Sequence, residues 1–257
     1  MTDLREQSAL PREKVAGNTN TAFLKVVALI FMVIDHTGVA LFNNMTEMRV
    51  LGRIAFPIYA WCMAVGCAYT RSFPKYVLRM LIALVVSQPF YMRALGHKWY
   101  ELSIMATLLC GLLAIWGISK RRWLSQYWAP ALALLCPCFV QMDYGWKGVL
   151  LIILLYLVKG DKRGIAAFMI AFCLFWGENT STLRSLFGVP LAPLYSWTKY
   201  GRTLFTSIFR IQALAILSLP FILPDWGKRV RYPRWIGYLA YPGHLAIIYL
   251  IKLIIQH

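Results

Sequence analysis

Between about Ala22 and Ile255, apolar runs close to the roughly twenty residues needed to cross a bilayer follow one another, parted by short basic or Pro/Gly-bearing loops. That pattern dictates most of what the chain can become. Sixty per cent of its 257 residues are hydrophobic and 14% are charged, whereas a soluble domain is about 45–50% apolar and about a quarter charged. Lipid is therefore the solvent for most of the chain, and no separate soluble domain fits. The expected fold class is all-α, a polytopic membrane helix bundle formed as one domain over residues 22–257. A polar cytoplasmic tail over residues 1–21, carrying Arg5, Arg12 and Lys14, precedes it. The first apolar run is too long for the core of a cleavable signal.

The runs divide into spans at about Ala22–Phe42, Val50–Thr70, Lys75–Phe90, Leu102–Ile118, Tyr127–Val140, Trp146–Val158, Ile165–Trp176, Leu204–Leu223 and Trp235–Ile255. Residues 177–203 are ambiguous, because Pro190, Pro193, Lys199 and Arg202 interrupt a moderately apolar stretch that reads as amphipathic or re-entrant. The expected count is about nine transmembrane helices, or ten if that stretch crosses. Lys and Arg outnumber Asp and Glu by 27 to 10, for a net charge of +17. In a soluble protein such an excess would suggest nucleic acid. Here it sits in the loops, so anionic lipid is the expected partner and nucleic acid is not. With the amino terminus in the cytoplasm, the basic loops fall inside, and Arg49, Arg93 and Lys98 are the chief outer charges. Cys62, Cys67, Cys110, Cys136, Cys138 and Cys173 lie in or beside apolar runs and read as packing residues, and no metal site is expected from their spacing or from that of the histidines.

An ionisable side chain in a bilayer core costs about 2.5–3.5 kcal/mol, so each needs a partner or a task. Asp35 and His36 lie side by side in the first span, about 100 degrees apart around a helix. Neutral His36 is suited to take a proton from an attacking amine or hydroxyl, and Asp35 more readily pairs with a basic group on the next span, Arg53 being the nearest. A buried polar pair that only locks helices is the alternative. Pro57 should kink the second helix and expose the backbone around Arg53, whose guanidinium then meets an anion or snorkels to the interface. Asp143, with Tyr144, forms a polar aromatic turn that reads as an acceptor site or a helix cap, and Glu101 reads as a cap. His244 opens the last span, as an acceptor-site candidate or an interfacial residue. No phosphate loop, serine elbow or zinc-protease motif occurs. A nucleotide-bearing donor would have to rest on scattered basic residues, with Arg71, Lys75, Arg79, Arg121, Arg163 and Arg229 as candidates beside Arg122, Lys162, Lys228 and Arg231.

The run Leu24 to Gly38, ending Ile-Asp-His-Thr-Gly, followed by Gly52-Arg-Ile-Ala-Phe-Pro-Ile-Tyr59, Asp143-Tyr-Gly145, Gly148-Val-Leu-Leu151 and Tyr241-Pro-Gly-His-Leu245, resembles the TraX family. That family is named for a conjugative-plasmid protein that acetylates the amino terminus of pilin. It is similar in turn to wider transmembrane acyltransferases, among them the lysosomal heparan glucosaminide acetyltransferase and the acyltransferase-3 group. The resemblance implies an acetyltransferase of the bacterial cytoplasmic membrane, using acetyl-CoA as donor and His36 as catalytic histidine with Asp35 and Arg53 beside it. The family pattern has a bulky apolar residue where this chain has Gly243. The acceptor, whether peptide, glycan or lipid, does not carry over, and self-association into a homo-oligomer is compatible with the class. A transporter using an Asp-His-Arg relay is the alternative function, and a passive scaffold a third.

Overall fold

The computed structural model describes residues 14–196, 199–226 and 234–256. The protein is mostly helical. Helices α1 (Thr21–Ala40), α2 (Thr46–Gly52), α3 (Ala55–Tyr69), α4 (Phe73–Leu95), α5 (Ile104–Lys120), α6 (Ser125–Phe139), α7 (Gly145–Val158) and α8 (Lys162–Gly177) follow in order. A two-residue hairpin, β1 (Ser185–Leu186) with β2 (Val189–Pro190), then leads through α9 (Ala192–Ser196), α10 (Lys199–Ile208), a 3₁₀ segment Ala213–Ser218, α11 (Leu219–Ile222) and α12 (Arg234–Gln256). Among the described residues, four helical segments are long and apolar enough to cross a membrane: Thr21–Ala40, Thr46–Tyr69, Phe73–Leu95 and Ile236–Ile255.

Helix α3 is the axis of the core. It is apolar on all sides, as a helix buried on every face must be, and Phe56, Ile58, Ala60, Trp61 and Ala64 are fully buried. Helices α1, α5 and α7 pack around it. On α5, Gly111 permits close approach, since a Cβ there would strike Ile152 of α7. Helices α4 and α12 run parallel, shown by Arg79 over the Tyr238 ring near their first turns and Lys252 Nζ donating to Ala94 O near their last. Outward residues such as Ile30, Val85, Leu132, Ile247 and Ile254 are exposed and apolar, as lipid-facing positions should be.

Several expected boundaries change. The second span is broken: Arg53 N and Ile54 N donate to Val50 O and Leu51 O, a tightened turn that separates α2 from α3. The expected span Leu204–Leu223 is not one helix, because α10 ends at Ile208 and the chain continues through 3₁₀ turns into α11. Their longer rise of about 2.0 Å per residue lets few residues cover the distance from Gln212, beside Arg53, to Ile222, beside Asn18. Residues 184–208 form an excursion whose ends are tied together, since Leu183 N donates to Phe209 O and Ile211 N to Ser181 O. Leu191 within it, together with Leu183 and Leu214 on its two flanks, packs onto Val50 of α2. Residues 16–20, placed in a polar tail by the sequence, are held in the core. Ala16 N reaches Lys159 O, Asn18 N reaches Ile222 O, and Trp61 Nε1 donates to Asn18 O. The bundle thus has two ends. At one, α1 starts, α3 ends and these ties lie; at the other, α1 ends, α2 lies across and α7 begins.

Candidate functional site

At the second end the chain buries its ionisable groups together. One helical step separates Asp35 from His36, so the two side chains leave α1 in different directions and meet different elements. Asp35 faces α2. Arg49 Nη1 donates to both its carboxylate oxygens at 3.0 Å, and Arg53 Nη2 to both at 3.2 Å. The carboxylate is 9% exposed, and the guanidinium side chains are 31% and 11% exposed for Arg49 and Arg53. A pair so withdrawn from water is held only by complete hydrogen bonding. Gly52 makes the approach possible, because a Cβ at that position would overlap the Asp35 side chain.

Pro57 explains the break beside Arg53. Lacking an N–H, it leaves the Arg53 carbonyl without its helical donor. Arg53 N turns to Val50 O, and the Arg49 carbonyl freed by that turn is taken by Arg53 Nε at 3.2 Å. Arg53 Nη1 reaches Gln212 Oε1 at 3.3 Å, and the guanidinium lies 5.7 Å over the Tyr144 ring. The kink expected near Arg53 is thus a full break, sealed by the arginine's own side chain.

His36 faces α12. Its Nδ1 lies 2.8 Å from His244 Nε2, the rings stack at 5.0 Å and 15°, and Tyr241 stands edge-on to both. His244 Nδ1 lies 3.0 Å from Ala240 O, which can only accept. This fixes the assignment of protons for neutral rings: His244 Nδ1–H donates to the carbonyl, His244 Nε2 accepts from His36 Nδ1–H, and His36 Nε2 keeps a free lone pair. A base whose second nitrogen is held by a fixed acceptor is the usual arrangement for general-base work.

His36 lines a cavity of about 240 Å³ shared with Asp35, Arg49, Arg53, Tyr91, His97, Asp143 and Tyr144. Two loops frame it. Leu102 N donates to Gln141 O and Asp143 N to Leu102 O, joining the α4–α5 loop to the α6–α7 loop. Thr107 Oγ1 donates to Asp143 O, and Tyr144 stacks on Phe56 at 4.1 Å. Burial raises the Asp143 carboxyl above the ordinary carboxylate range, with Arg53 opposing the shift. On the rim, His97 stacks on Tyr91 at 4.4 Å and its Nδ1 lies 3.0 Å from Glu101 Oε2. The Lys98 N–H, 2.8 Å from the same oxygen, and His97 hold the Glu101 carboxyl below its ordinary range.

The structure brings together Asp35, His36, Arg53, Asp143 and Tyr144, and it sets His244 behind His36 instead of in the cavity wall. The nucleotide candidates are elsewhere. Arg71, Lys75, Arg121 and Arg163 are exposed at the opposite end, and Arg79 packs there on Tyr238. Sixteen residues of α4 separate Lys75 from Tyr91 in the cavity wall, roughly 24 Å at 1.5 Å per residue. Arg229 lies outside the described residues. Sequence reasoning overlooked Arg49, Gln212 and the pairing of His97 with Glu101. Two of these left a signal, since Arg49 with Arg53 and His97 with Glu101 are each spaced four apart, the separation that puts side chains together on a helix or tight turn.

A family model described as TraX protein matches residues 20–252. An uncharacterized protein of Rickettsia prowazekii (strain Madrid E) is 26% identical over 240 residues, covering 90% of this chain and 88% of the relative. Protein TraX of Escherichia coli (strain K12) is 26% identical over 130 residues, 50% of this chain and 52% of the relative. A probable fimbrial assembly protein FimC, serogroup H1, of Dichelobacter nodosus is 32% identical over 72 residues, 26% of this chain and 30% of the relative. No solved structure matches.

Proposed function

The chain belongs to the TraX family, and from that premise we propose that it is a multi-pass membrane acyltransferase moving acetyl from acetyl-CoA to an amine or hydroxyl. The observation that carries this reading is the His36–His244–Ala240 chain of hydrogen bonds, which leaves Nε2 of His36, a residue of the cavity wall, unprotonated. His36 takes the acceptor's proton as the nucleophile attacks the thioester carbonyl carbon. The tetrahedral intermediate then collapses, and the C–S electron pair leaves with sulfur. Arg53 spends its donors on Arg49 O, Gln212 and Asp35 but keeps an Nη1 hydrogen without a protein acceptor among the described residues, and that hydrogen meets the developing oxyanion. Asp35 holds both arginines in place.

A cavity of about 240 Å³ is below the roughly 300–1,000 Å³ of pockets that enclose a whole drug-sized ligand. It suits a thioester end and not a nucleotide. The donor's phosphates are assigned to the basic opposite end, with Arg71, Lys75, Arg79, Arg121 and Arg163, which the positive-inside rule puts in the cytoplasm. The cavity then opens toward the outer face. The similarity to a protein named for fimbrial assembly supports a fibre subunit as acceptor.

The test is to incubate lipid-reconstituted protein with labelled acetyl-CoA and membrane extract, comparing wild type with His36→Ala. Label should pass to an acceptor with wild type and fall about 10²–10⁴-fold with the variant. A folded wild type that neither binds nor consumes acetyl-CoA sinks the enzyme reading and favours a relay transporter; equal activity in the variant sinks only the role of His36.

A further inference from the structure

His36 is not the only imidazole on the cavity. His97, in the loop after α4, lines the same wall, but at the rim, where its side chain is 38% exposed. Its setting mirrors that of His36: one ring nitrogen is fixed by an acceptor, here Glu101 Oε2, and the ring is stacked on an aromatic face, here Tyr91 with the planes 3° apart. Glu101 is itself fixed. The Lys98 N–H donates to its carboxylate at 2.8 Å, Gln88 Nε2 donates to its carbonyl at 2.7 Å, and Gln88 Oε1 accepts from Ser103 N. Five residues thus settle one imidazole at the point where the cavity meets the medium. With Nδ1 donating to the carboxylate, Nε2 is the nitrogen left to exchange protons.

A buried base has a problem that this arrangement solves. Each transfer leaves a proton on His36, which is 7% exposed and has Asp35, Arg49 and Arg53 close by. We infer that His97, oriented by Glu101, is the proton-relay residue of this cavity, carrying the proton collected by His36 out to water at the rim. The inference rests on the acyl-transfer reading above. The step balances: the acceptor loses H⁺ to His36 Nε2, the acceptor–carbon bond forms, and the C–S bond breaks with its electron pair on sulfur. The thiolate leaves, and the proton passes from His36 through cavity water to His97 Nε2 and then to the medium. The charged and titratable groups that share the cavity with His97 or touch it are Glu101 and Lys98 on its own loop, Tyr91 on α4, Arg49 on α2, Arg53 at the break after it, Asp35 and His36 on α1, and Asp143 and Tyr144 between α6 and α7.

The experiment measures acetyl turnover against pH for reconstituted wild type, His97→Ala, Glu101→Gln and His36→Ala, each with and without added imidazole. His97→Ala should lower kcat about tenfold to a hundredfold with little change in KM, and imidazole should restore it, because a rim site is open to a small base. His36→Ala should stay silent with imidazole, and Glu101→Gln should shift the pH profile. Wild-type kcat and pH profile in His97→Ala, or a loss that imidazole does not restore while Glu101→Gln keeps the wild-type profile, overturns the inference. A wild type that transfers no acetyl at all overturns the acyl-transfer reading, and is recognised because every variant is equally silent.

Discussion

The two ends of the bundle carry charge in opposite ways. At the opposite end, Arg71, Lys75, Arg121 and Arg163 sit one by one at helix termini, exposed, and none of their side chains forms an ion pair with a carboxylate among the described residues. At the cavity end, fewer charges are drawn between helices, and two arginines from α2 and the break after it converge on one carboxylate of α1. The first arrangement holds little structure, and its expected role is to orient the chain in a membrane. The second is costly to bury and specifies geometry, and it is there that the proposed acyl transfer is assigned. Charge counted along the sequence does not distinguish them, whereas charge weighted by burial does.

The sharpest way to break this contrast is Asp35→Ala. It strands Arg49 and Arg53 without a counter-charge, and removing one partner from a buried pair costs roughly 3–5 kcal/mol. Thermal unfolding in lipid or detergent should show that loss, while Arg121→Gln and Arg163→Gln should stay within about 0.5 kcal/mol of wild type, as exposed substitutions do. Equal stability of all three variants would mean that the Asp35 cluster is no more structural than the exposed end. Next in size is Gly52→Ala. The new methyl meets the Asp35 side chain, and overpacking costs about 1–3 kcal/mol. Because it moves the carboxylate without removing it, this variant should also lower acetyl turnover; unchanged stability and turnover would show that α1 and α2 can part freely.

A third test separates the two faces of α1. His244→Phe keeps a ring against Tyr241 but removes the acceptor that fixes His36 Nδ1–H. We expect kcat to fall about tenfold to a hundredfold, 1.4–2.7 kcal/mol, with stability lowered by about 1–3 kcal/mol for the buried N–H left without an acceptor, less than in Asp35→Ala because no charge is stranded. Wild-type kcat here would detach His36 from His244.

Much of this was legible beforehand. The helical character, the run carrying Asp35 and His36, and the disturbance caused by Pro57 follow from local rules about hydropathy and missing N–H groups. Pairing of Asp35 with Arg53 follows from the expense of a lone charge in lipid. What was not legible depends on contacts between distant parts of the chain. His244 meets His36 across 208 positions and Gln212 meets Arg53 across 159, and neither spacing carries a signal. The 3₁₀ passage at Ala213–Ser218 was hidden because its apolar residues read like any helix. Residues 16–20 were misread because Asn18 and Asn20 look like tail residues, whereas they satisfy backbone groups at Phe221, Trp226 and Phe23.

The smallest expected effect lies on the rim of the cavity, which belongs to neither kind of end: charged, paired and yet open to water. Glu101 is held below its ordinary range by the Lys98 N–H and by His97. A carboxyl whose folded value is depressed contributes stability above its unfolded value and loses it as pH falls through the folded one. Acidification to below about pH 4, the ordinary glutamate range, should therefore loosen the loop between Gly96 and Ser103 first. Amide hydrogen exchange at Lys98 should speed up, and Glu101→Gln should show the faster exchange already at neutral pH. Because this carboxylate is exposed, the change should stay local and leave global unfolding unmoved, in contrast to Asp35. Exchange at Lys98 that is indifferent to pH and to Glu101→Gln would place the rim with the solvated end of the bundle and take the order out of the His97 site.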